Sequence, residues 1–308
     1  MNTDADEGDT RPTFTIGIPM VNEPLAQIQL AIQSVFAQSL TDWELIFLCD
    51  ASPDEHVTQL NTIEDIRARV IHFKQPGGIA RSLNTLAREA KGRFIAILAA
   101  DDAWPTDRLE LQRARMDAPN PPDVLAGQML VISDESSVEG MQRKAVLPRT
   151  TEGWVAGTPI SHATAIATPE WFQQHPYDES LIRAQDRAFW ITSHQNSTIE
   201  ILDDFLYFYR VPKPIPYKKY AWSSKYARRV IWKYGPDVIS HLKVIRILIE
   251  SVLKQLATKV STTFGGTEAL YQRRIEVIPD SVRTNALREI ELISRQTIPG
   301  WQPIPDTP

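Results

Sequence analysis

The stretch Phe94–Trp104, FIAILAADDAW, decides the fold of this 308-residue chain. Its first part is apolar and too short for a helix, so it predicts a strand buried on both faces. It then ends in two adjacent carboxylates, Asp101 and Asp102. Charged side chains are rarely buried without a partner or a metal, and ligands of open α/β sheets bind at the carboxyl ends of the strands. The stretch alone leaves two interpretations open, a binding site or a simple turn into the next helix.

Strands and helices alternate four times around this stretch. The hydrophobic patterns predict strands at Phe14–Pro19, Trp43–Cys49, Arg69–Phe73 and Arg93–Leu98. They predict helices at 25–36, 54–66, 79–90 and 106–116. This alternation is typical of right-handed βαβ crossovers and a parallel sheet. Beyond Met116 it breaks down into strands at Val124–Ser133, Ala163–Ala167 and Leu206–Val211, a helix at Ser180–Gln195, and helices from Lys218 onward.

Charge is distributed unevenly along the chain. The net charge is -5, yet residues 213–274 hold thirteen Lys and Arg against three Asp and Glu, whereas the remainder holds 20 against 35. Tyrosines and tryptophans accompany the basic residues, which indicates contact with an anionic surface or ligand. Three prolines at 212, 214 and 216 predict a domain boundary there. We therefore divide the chain into an acidic disordered lead-in (1–12), a main domain (13–212) and a helical C-terminal extension (213–308).

Composition excludes several classes of protein. Cys49 is the single cysteine, which excludes an internal disulfide and a thiolate metal cluster. No apolar run approaches the ~20 residues that span a bilayer, and no signal peptide pattern opens the sequence. We expect a cytoplasmic protein in which residues 213–259 bind an anionic surface at the inner face of the membrane or a lipid-diphosphate acceptor. The alternative is a basic helix pair that packs against the acidic main domain or forms a dimer contact. Nucleic-acid binding is disfavoured because the main domain is strongly acidic and carries no RNA-binding motif.

Polar clusters follow three of the predicted strands. They are Met20–Glu23, Asp50–Asp54 and Asp101–Asp102, and in a doubly wound sheet the strand ends that carry them line one edge. Two aspartates at a strand end suit a hard divalent cation, which in turn neutralises a diphosphate. The sequence lacks G-x-G-x-x-G after the first strand and has no P-loop motif, so the dinucleotide and P-loop interpretations lose support.

These clusters resemble the motifs of the family 2 glycosyltransferases, which use nucleotide-diphospho-sugars. The matching segments, in family order, are Ile18-Pro19-Met20-Val21-Asn22-Glu23, Ser34-Val35-Phe36-Ala37-Gln38, Asp50-Ala51-Ser52-Pro53-Asp54, Gly78–Asn84, Ala99-Ala100-Asp101-Asp102 and Tyr177-Asp178-Glu179-Ser180-Leu181, then Gln185, Asp186 and Trp190. The resemblance implies an α/β GT-A fold, with a mostly parallel central sheet, helices on both sides and a C-terminal helical extension. Many members carry an aspartate where Ala99 stands here and a glutamate where Gln185 stands.

The resemblance also implies roles for single residues. It places the nucleotide-sugar against Pro19, Met20, Asn22, Glu23, Asp50, Gly78 and Asp101. It makes Asp102 the direct ligand of a divalent cation, Mn²⁺ or Mg²⁺, and Asp101 a contact of the ribose or of a metal-bound water. One protein carboxylate suffices for such a cation, because phosphates and waters complete its coordination shell.

Asp186 is the implied catalytic base. An acceptor hydroxyl becomes a good nucleophile only as it loses its proton, and the resemblance assigns that proton transfer to Asp186. The local sequence alone favours a different interpretation, an ion pair with Arg183 or Arg187 on the same helix. Two other residues remain ambiguous: His162 could face the acceptor site or make a structural hydrogen bond, and Arg81 could bind a phosphate or stay in solvent.

The resulting hypothesis is an inverting glycosyltransferase. Its donor would be a UDP-, GDP- or dTDP-sugar, and its acceptor a hydroxyl of a glycan or lipid-linked molecule in polysaccharide, O-antigen or glycolipid synthesis. A non-catalytic nucleotide-sugar-binding or scaffold relative is the alternative, since Ala99 and Gln185 depart from the family pattern. A nucleotidyltransferase is disfavoured, because no basic glycine-rich loop near the first strand could hold a triphosphate.

Overall fold

The computed structural model describes residues 11–212, 216–265, 271 and 275–302. The predicted lead-in therefore lies almost wholly outside the described residues, as do three residues at the predicted domain boundary. The described part contains nine strands in one mixed sheet with helices around it. This architecture confirms the predicted α/β class, and it differs from the sequence-based expectation mainly after Met116.

The first half of the sheet is parallel. Strands β1 (Phe14–Met20), β2 (Trp43–Asp50), β3 (Ala68–Phe73) and β4 (Phe94–Ile97) lie in the order β3-β2-β1-β4. Helices α1 (Leu25–Phe36), α2 (Asp54–Leu60) and α3 (Gly78–Glu89) connect them, and α4 (Arg108–Met116) follows β4. Every residue of β1, β2 and β4 is buried, as continuous apolar runs in a covered parallel sheet require. The order β2-β1-β4 brings the carboxyl ends of these three strands to one edge.

The second half of the sheet is mixed. Strand β5 (Val124–Ile132) pairs antiparallel with β6 (Val138–Gln142) and β7 (Ile166–Ala167), and parallel with β8 (Ile199–Arg210). Short helices α5 (Thr151–Ala156) and α6 (Pro169–Gln174) lie between these strands, and α7 (Gln185–Ser193) precedes β8. The pairing of β7 with β4 joins the two halves into a single sheet.

Three predictions for this half are wrong in their extent. The predicted strand Leu206–Val211 covers only the end of β8, which runs from Ile199 to Arg210. The predicted strand at 163–167 begins instead as a 3₁₀ turn, His162–Thr164, and only Ile166–Ala167 pair with the sheet. The predicted helix Ser180–Gln195 is confined to α7, because Ala184 adopts a left-handed conformation with φ of 61° immediately before it. A non-glycine residue in this region is disfavoured, and it forces the chain to turn sharply just ahead of Asp186.

The C-terminal part is helical but returns to the main sheet. Helices α8 (Tyr217–Tyr234) and α9 (His241–Gly265) pack against each other and against α7. Strand β9 (Ile275–Glu276), which the sequence pattern did not predict, pairs with β6, and α10 (Asp280–Ser294) packs on α1. Near the end of the described residues, Trp301 Nε1 donates to Gln29 Oε1 at 3.2 Å. The division of the chain at residue 213 remains a prediction.

Within the described residues, none of the helices is both long and apolar enough to span a bilayer.

Candidate functional site

The carboxyl ends of β1, β2 and β4 form the floor of the candidate site. Pro19 and Met20 end β1, and the Ser52 hydroxyl donates to the Met20 carbonyl at 3.1 Å, which ties the loop after β1 to the loop after β2. Beyond them Asn22 is exposed, whereas the Glu23 carboxylate folds back to accept the Val21 N–H at 2.8 Å. Asn22 lies outside α1, which begins after Pro24.

Asp50, at the end of β2, holds the start of α3 in place. Its carboxylate accepts N–H groups from Gly77 at 2.9 Å and Gly78 at 2.6 Å, and it forms an ion pair with Arg81 at 2.6 Å. Gly78 has a φ of +80°, a conformation that glycine adopts without the steric cost of a Cβ. Arg81 also lies over the Phe73 ring, 4.4 Å from its centroid. The buried Asp50 carboxylate thus couples the second and third crossover loops.

Asp101 and Asp102, after β4, occupy different environments. Asp102 is 2 % exposed, and both of its oxygens accept hydrogen bonds, one from the Arg210 backbone N–H at 2.6 Å and one from the Tyr207 hydroxyl at 2.9 Å. Burial, followed by repulsion from Asp101, raises the pKa of Asp102 well above its ordinary range. The Asp101 side chain is only partly buried, and among the described residues no other residue donates a hydrogen bond to its carboxylate. Asp101 is therefore the more accessible of the two carboxylates.

Arg210 fixes the loop that carries these aspartates, and the sequence analysis missed it. Besides the backbone contact to Asp102, its Nε donates to the Asp101 carbonyl at 2.7 Å and its Nη1 to the Ser133 carbonyl at 2.5 Å. It is buried at the end of β8. The signal was present in the run LYFYRV, because a single charge at the end of an otherwise apolar strand needs partners when it is buried.

A second arginine, Arg108, supports the same loop; it belongs to the segment that resembles the family's metal motif, but the sequence analysis gave it no role. Its guanidinium is fully buried in α4, 3.8 Å from the Trp104 ring centroid, and it donates to the Ala163 carbonyl at 2.9 Å. Burial lowers the pKa of Arg108 to about 9, so the side chain keeps its charge at neutral pH. It links the loop of Asp101 and Asp102 to the turn that carries His162.

Asp186 lies in the first turn of α7, facing the turn of His162. No ion pair joins it to Arg183 or Arg187 in the described part of the chain: Arg187 donates to the Val155 carbonyl at 2.9 Å and Arg183 to the Ser223 hydroxyl at 2.8 Å. The ion pair that local spacing favoured is thus absent. The negative charge of Asp186 acts on three neighbours: it partly offsets the lowering of the His162 and Arg187 pKa values by burial, and it adds to the raising of the Tyr177 pKa by burial.

The segment that precedes α7 is anchored on both sides. The Asn84 side chain of α3 accepts the Tyr177 N–H at 2.8 Å and donates to the Tyr177 carbonyl at 2.9 Å. The Asp178 carboxylate binds Lys233 at 2.6 Å and the Tyr234 hydroxyl, both at the end of α8. These contacts connect Gly78–Asn84 with the Tyr177–Leu181 segment, two matches that lie far apart in the sequence.

A cavity of about 140 Å³ lies beside the end of β8. Its lining includes Arg183 before α7, Val211 after β8 and Lys219 in α8. The positive charge of Lys219 is one of the influences that counteract burial at the Asp101 carboxyl, where burial raises the pKa. Arg210, which precedes Val211, donates to the Asp101 carbonyl, so the cavity lies near the loop of Asp101, although Asp101 is not among the described residues that line it.

The described residues suit a divalent cation only together with a ligand. They contain no group of three or more His, Cys, Asp or Glu side chains arranged to hold a metal. A single accessible carboxylate beside a diphosphate is nonetheless a common Mg²⁺ arrangement in proteins, and Asp101 is the residue that offers one. Asp102 could take that role only by giving up two buried hydrogen bonds, so its assignment as the direct metal ligand stays a prediction that these contacts do not favour.

The candidate site is therefore an edge of parallel strands that carries carboxylates, in an α/β protein whose sequence has no P-loop motif. A family profile described as glycosyl transferase family 2 matches residues 15–175, about half of the chain. The chain belongs to this family and is a glycosyltransferase.

Curated relatives agree with this assignment. An uncharacterized glycosyltransferase of Methanocaldococcus jannaschii is 25% identical over 264 residues, which cover 82% of this chain and 91% of the relative. The Escherichia coli UDP-Glc:alpha-D-GlcNAc-diphosphoundecaprenol beta-1,3-glucosyltransferase WfgD is 32% identical over 178 residues, which cover 57% of this chain and 68% of the relative.

Solved structures share the fold. The mannosyltransferase PcManGT of Pyrobaculum calidifontis, in complex with GDP-Man and Mn²⁺, superposes with a TM-score of 0.57 at 18% identity, covering 93% of this chain and 86% of that one. Staphylococcus aureus TarS 1-349 in complex with UDP superposes with a TM-score of 0.53 at 16% identity, covering 91% of this chain and 80% of that one. The GT-A fold predicted from the sequence is confirmed.

Proposed function

We propose that this protein transfers a sugar from a nucleotide-diphospho-sugar to a hydroxyl of a glycan or lipid-linked acceptor, with inversion at the anomeric carbon. The observation that carries the proposal is the edge of parallel strands that holds Asp50 and the accessible Asp101, together with Asp186 at the start of α7, which has no ion-pair partner among the described residues. The E. coli relative is named for a glucosyl transfer from UDP-Glc to a lipid-linked acceptor, and the P. calidifontis neighbour holds GDP-Man. Both support a nucleotide-sugar donor here.

The donor would lie across the carboxyl ends of β1, β2 and β4. We propose that Pro19, Met20, Asn22, Glu23 and Gly78 form the pocket of the base and ribose. Asp50 holds that pocket together through Gly77, Gly78 and Arg81 and contributes its own carboxylate to the rim.

Asp101 would then face the diphosphate. A divalent cation, Mn²⁺ or Mg²⁺, when bound at Asp101 and the diphosphate, would neutralise charge on the leaving group. Asp102 supports this proposed diphosphate site by accepting hydrogen bonds from the Tyr207 hydroxyl and the Arg210 N–H. Removal of divalent cations with EDTA should abolish turnover, and turnover unchanged by EDTA would contradict the role of the cation.

Asp186 would act as the general base. It takes the proton of the acceptor hydroxyl while that oxygen attacks the anomeric carbon, and the bond from that carbon to the diphosphate breaks with its electron pair on the diphosphate. Single displacement inverts the configuration. Burial lowers the pKa of His162 and keeps it neutral, while the negative charge of Asp186 opposes this shift. A hydrogen bond with His162 would orient the acceptor.

Asp186→Asn tests the enzymatic proposal. We expect sugar transfer to fall by about 10²–10⁴-fold, the usual contribution of a positioned base, while nucleoside-diphosphate binding stays within about twofold of wild type. The measurement is transfer from UDP-, GDP- and dTDP-sugars to glycan and lipid-linked acceptors with Mn²⁺, and Glu170→Gln, an exposed carboxylate on α6, is the control. Transfer by Asp186→Asn at the wild-type rate would disprove the role of the base. Nucleotide-sugar binding by the wild type without any turnover would favour the scaffold alternative.

We further propose that the outer face of α8 and α9 binds an anionic membrane surface. Helix α8 holds six Lys and Arg and no acidic residue. Its exposed side chains are Lys218, Lys219, Trp222, Lys225, Arg229, Trp232 and Lys233, and those of the apolar face of α9 are Leu242, Ile245, Ile249, Val252, Leu253, Leu256 and Val260. Exposed apolar residues beside Lys, Arg and Trp are typical of helices that lie in a membrane interface. Such contact would bring the site to a lipid-linked acceptor and would place the protein at the inner face of the membrane.

A further inference from the structure

The cavity between the end of β8, the loop before α7 and the start of α8 has a basic lining. Its residues are Arg183, Tyr209, Val211, Pro212, Lys219, Tyr220 and Ser223, and none of them is acidic. Two of these side chains carry positive charge, Arg183 and Lys219. A cavity of about 140 Å³ lined in this way selects an anion.

The Arg183 side chain is held in position, and one of its N–H groups has no hydrogen-bond partner. Its Nη1 donates to the Ser223 hydroxyl at 2.8 Å, and its guanidinium carbon lies 4.2 Å from the Trp222 ring centroid. Its Nε is buried and has no hydrogen-bond partner. Buried donors are nearly always satisfied in folded proteins, so a buried guanidinium N–H beside a cavity indicates an acceptor that enters with a ligand.

Ser223 couples Arg183 to Lys219. The Ser223 hydroxyl accepts from Arg183 and donates to the Lys219 carbonyl at 2.9 Å, so the loop before α7 and the first turns of α8 form one unit. The charge of Lys219 also acts on Asp101. Arg210, which lies between the lining residues Tyr209 and Val211, donates to the Asp101 carbonyl, so the cavity lies near the residue that we assign to the diphosphate in the proposed reaction.

We propose that Arg183 and Lys219 bind a diphosphate in this cavity. The inference rests on the proposed function for the identity of the anion, and its leading source is the leaving diphosphate of the donor. A guanidinium presents paired N–H donors that fit phosphate oxygens, while an ammonium supplies a compact charge. Two cations fixed beside the leaving group stabilise the negative charge that develops on it as the sugar departs. The other source with the same chemistry is the diphosphate of a lipid-linked acceptor.

The test compares Arg183→Gln and Lys219→Gln with a control, Arg288→Gln. Arg288 is an exposed cation on α10 and does not line the cavity. Calorimetric titration with UDP, GDP and inorganic diphosphate should show weakening by about tenfold or more in both cavity variants, the loss expected for one charge-assisted contact. The control should match wild type, and Arg183→Lys should recover part of the affinity. Melting temperatures within a few degrees of wild type will show that the variants fold.

The steady-state constants separate the two sources. A raised KM for the donor together with weaker nucleotide binding assigns the site to the leaving diphosphate. A raised KM for a lipid-diphosphate acceptor with unchanged nucleotide binding assigns it to the acceptor. Variants that match wild type in all of these measurements would overturn the inference. A wild-type protein that binds no nucleotide and transfers no sugar would refute the proposed function instead, and the titrations with inorganic diphosphate would still decide whether the cavity binds this anion.

Discussion

Asp101 and Asp102 are adjacent in the sequence, but their carboxylates differ in burial and in hydrogen bonding. Asp102 satisfies two buried donors, whereas the Asp101 side chain is only partly buried. A carboxylate that is fully engaged inside the protein contributes to stability, and one that is only partly buried is free to contact a ligand. Substitution should therefore separate stability from activity at two adjacent positions.

Asp102→Ala should lower stability, and Asp101→Ala should lower activity. Loss of Asp102 leaves the Tyr207 hydroxyl and the Arg210 N–H buried without their acceptor, at about 1–3 kcal/mol for each group. Asp101→Ala should change the free energy of unfolding by about 1 kcal/mol at most and lower sugar transfer by about 100-fold or more. Denaturant unfolding and transfer rates measure the two effects. Equal stability of the two variants, with activity lost only in Asp102→Ala, would instead favour Asp102 as the metal ligand.

At the scale of single elements, α3 depends on how it begins. Gly78 has a left-handed φ of +80°, and a Cβ built on it would meet no atom within 4 Å. The cost of a side chain at this position is therefore conformational and not steric. The same residue donates its N–H to Asp50, so the backbone geometry of α3 and the proposed nucleotide pocket are linked.

Gly78→Ala should destabilise the fold by about 1–2 kcal/mol, the cost of a left-handed conformation for a residue with a Cβ. It should also weaken nucleoside-diphosphate binding, because the Gly78 N–H would shift away from Asp50. Gly157→Ala is the matched control: Gly157 has a φ of -124° and its nearest contact for a new Cβ is 3.4 Å away, so stability should stay within about 1 kcal/mol of wild type. Chemical denaturation of both variants provides the comparison. Equal stability of Gly78→Ala and wild type would show that the loop relaxes to a right-handed conformation.

The elements that sequence predicted well are those in which pattern and burial agree. The apolar runs of β1, β2 and β4 are buried on both faces, and the periodic face of α1 packs into the core. Prediction failed where a single local conformation decides the outcome. The left-handed Ala184 shortens α7, and β9 consists of two residues whose only role is to pair with β6. Neither feature has a periodic signature in the sequence.

The sequence predicted those parts of the candidate site that lie at the carboxyl ends of the strands. The sequence motifs placed Asp50 and Asp101 after parallel strands whose carboxyl ends lie at one edge of the sheet, although the roles of these residues and of Asp186 remain predictions. The motifs gave no role to Arg108 or Arg210, which bind backbone carbonyls of distant loops. Such contacts depend on which loops the fold brings together, and residue type alone does not encode them.

At the scale of the whole molecule, the basic residues that are concentrated in one part of the sequence lie on one surface of the protein. The basic residues of α8 share one exposed face with Trp222 and Trp232, and the adjacent α9 exposes an apolar stripe. In the described part of the chain nothing covers that stripe. Covering it with an anionic bilayer satisfies both the charge and the apolar surface, whereas pairing with a second copy would bring two basic faces close together.

The membrane proposal predicts salt-sensitive binding to vesicles. Wild-type protein should sediment with vesicles of 30% phosphatidylserine in low salt, and binding should fall in 0.5 M NaCl as charges are screened. Lys225→Glu combined with Arg229→Glu should weaken binding by more than tenfold, since each basic residue near such a surface contributes about 1 kcal/mol. Leu253→Asn combined with Leu256→Asn should weaken it through lost apolar contact, with less dependence on salt. Glu170→Gln serves as the control, because α6 lies outside this surface. Vesicle binding unaffected by either double substitution, together with a dimer in sedimentation analysis that the leucine variant converts to monomer, would identify the stripe as an interface between two copies of the chain.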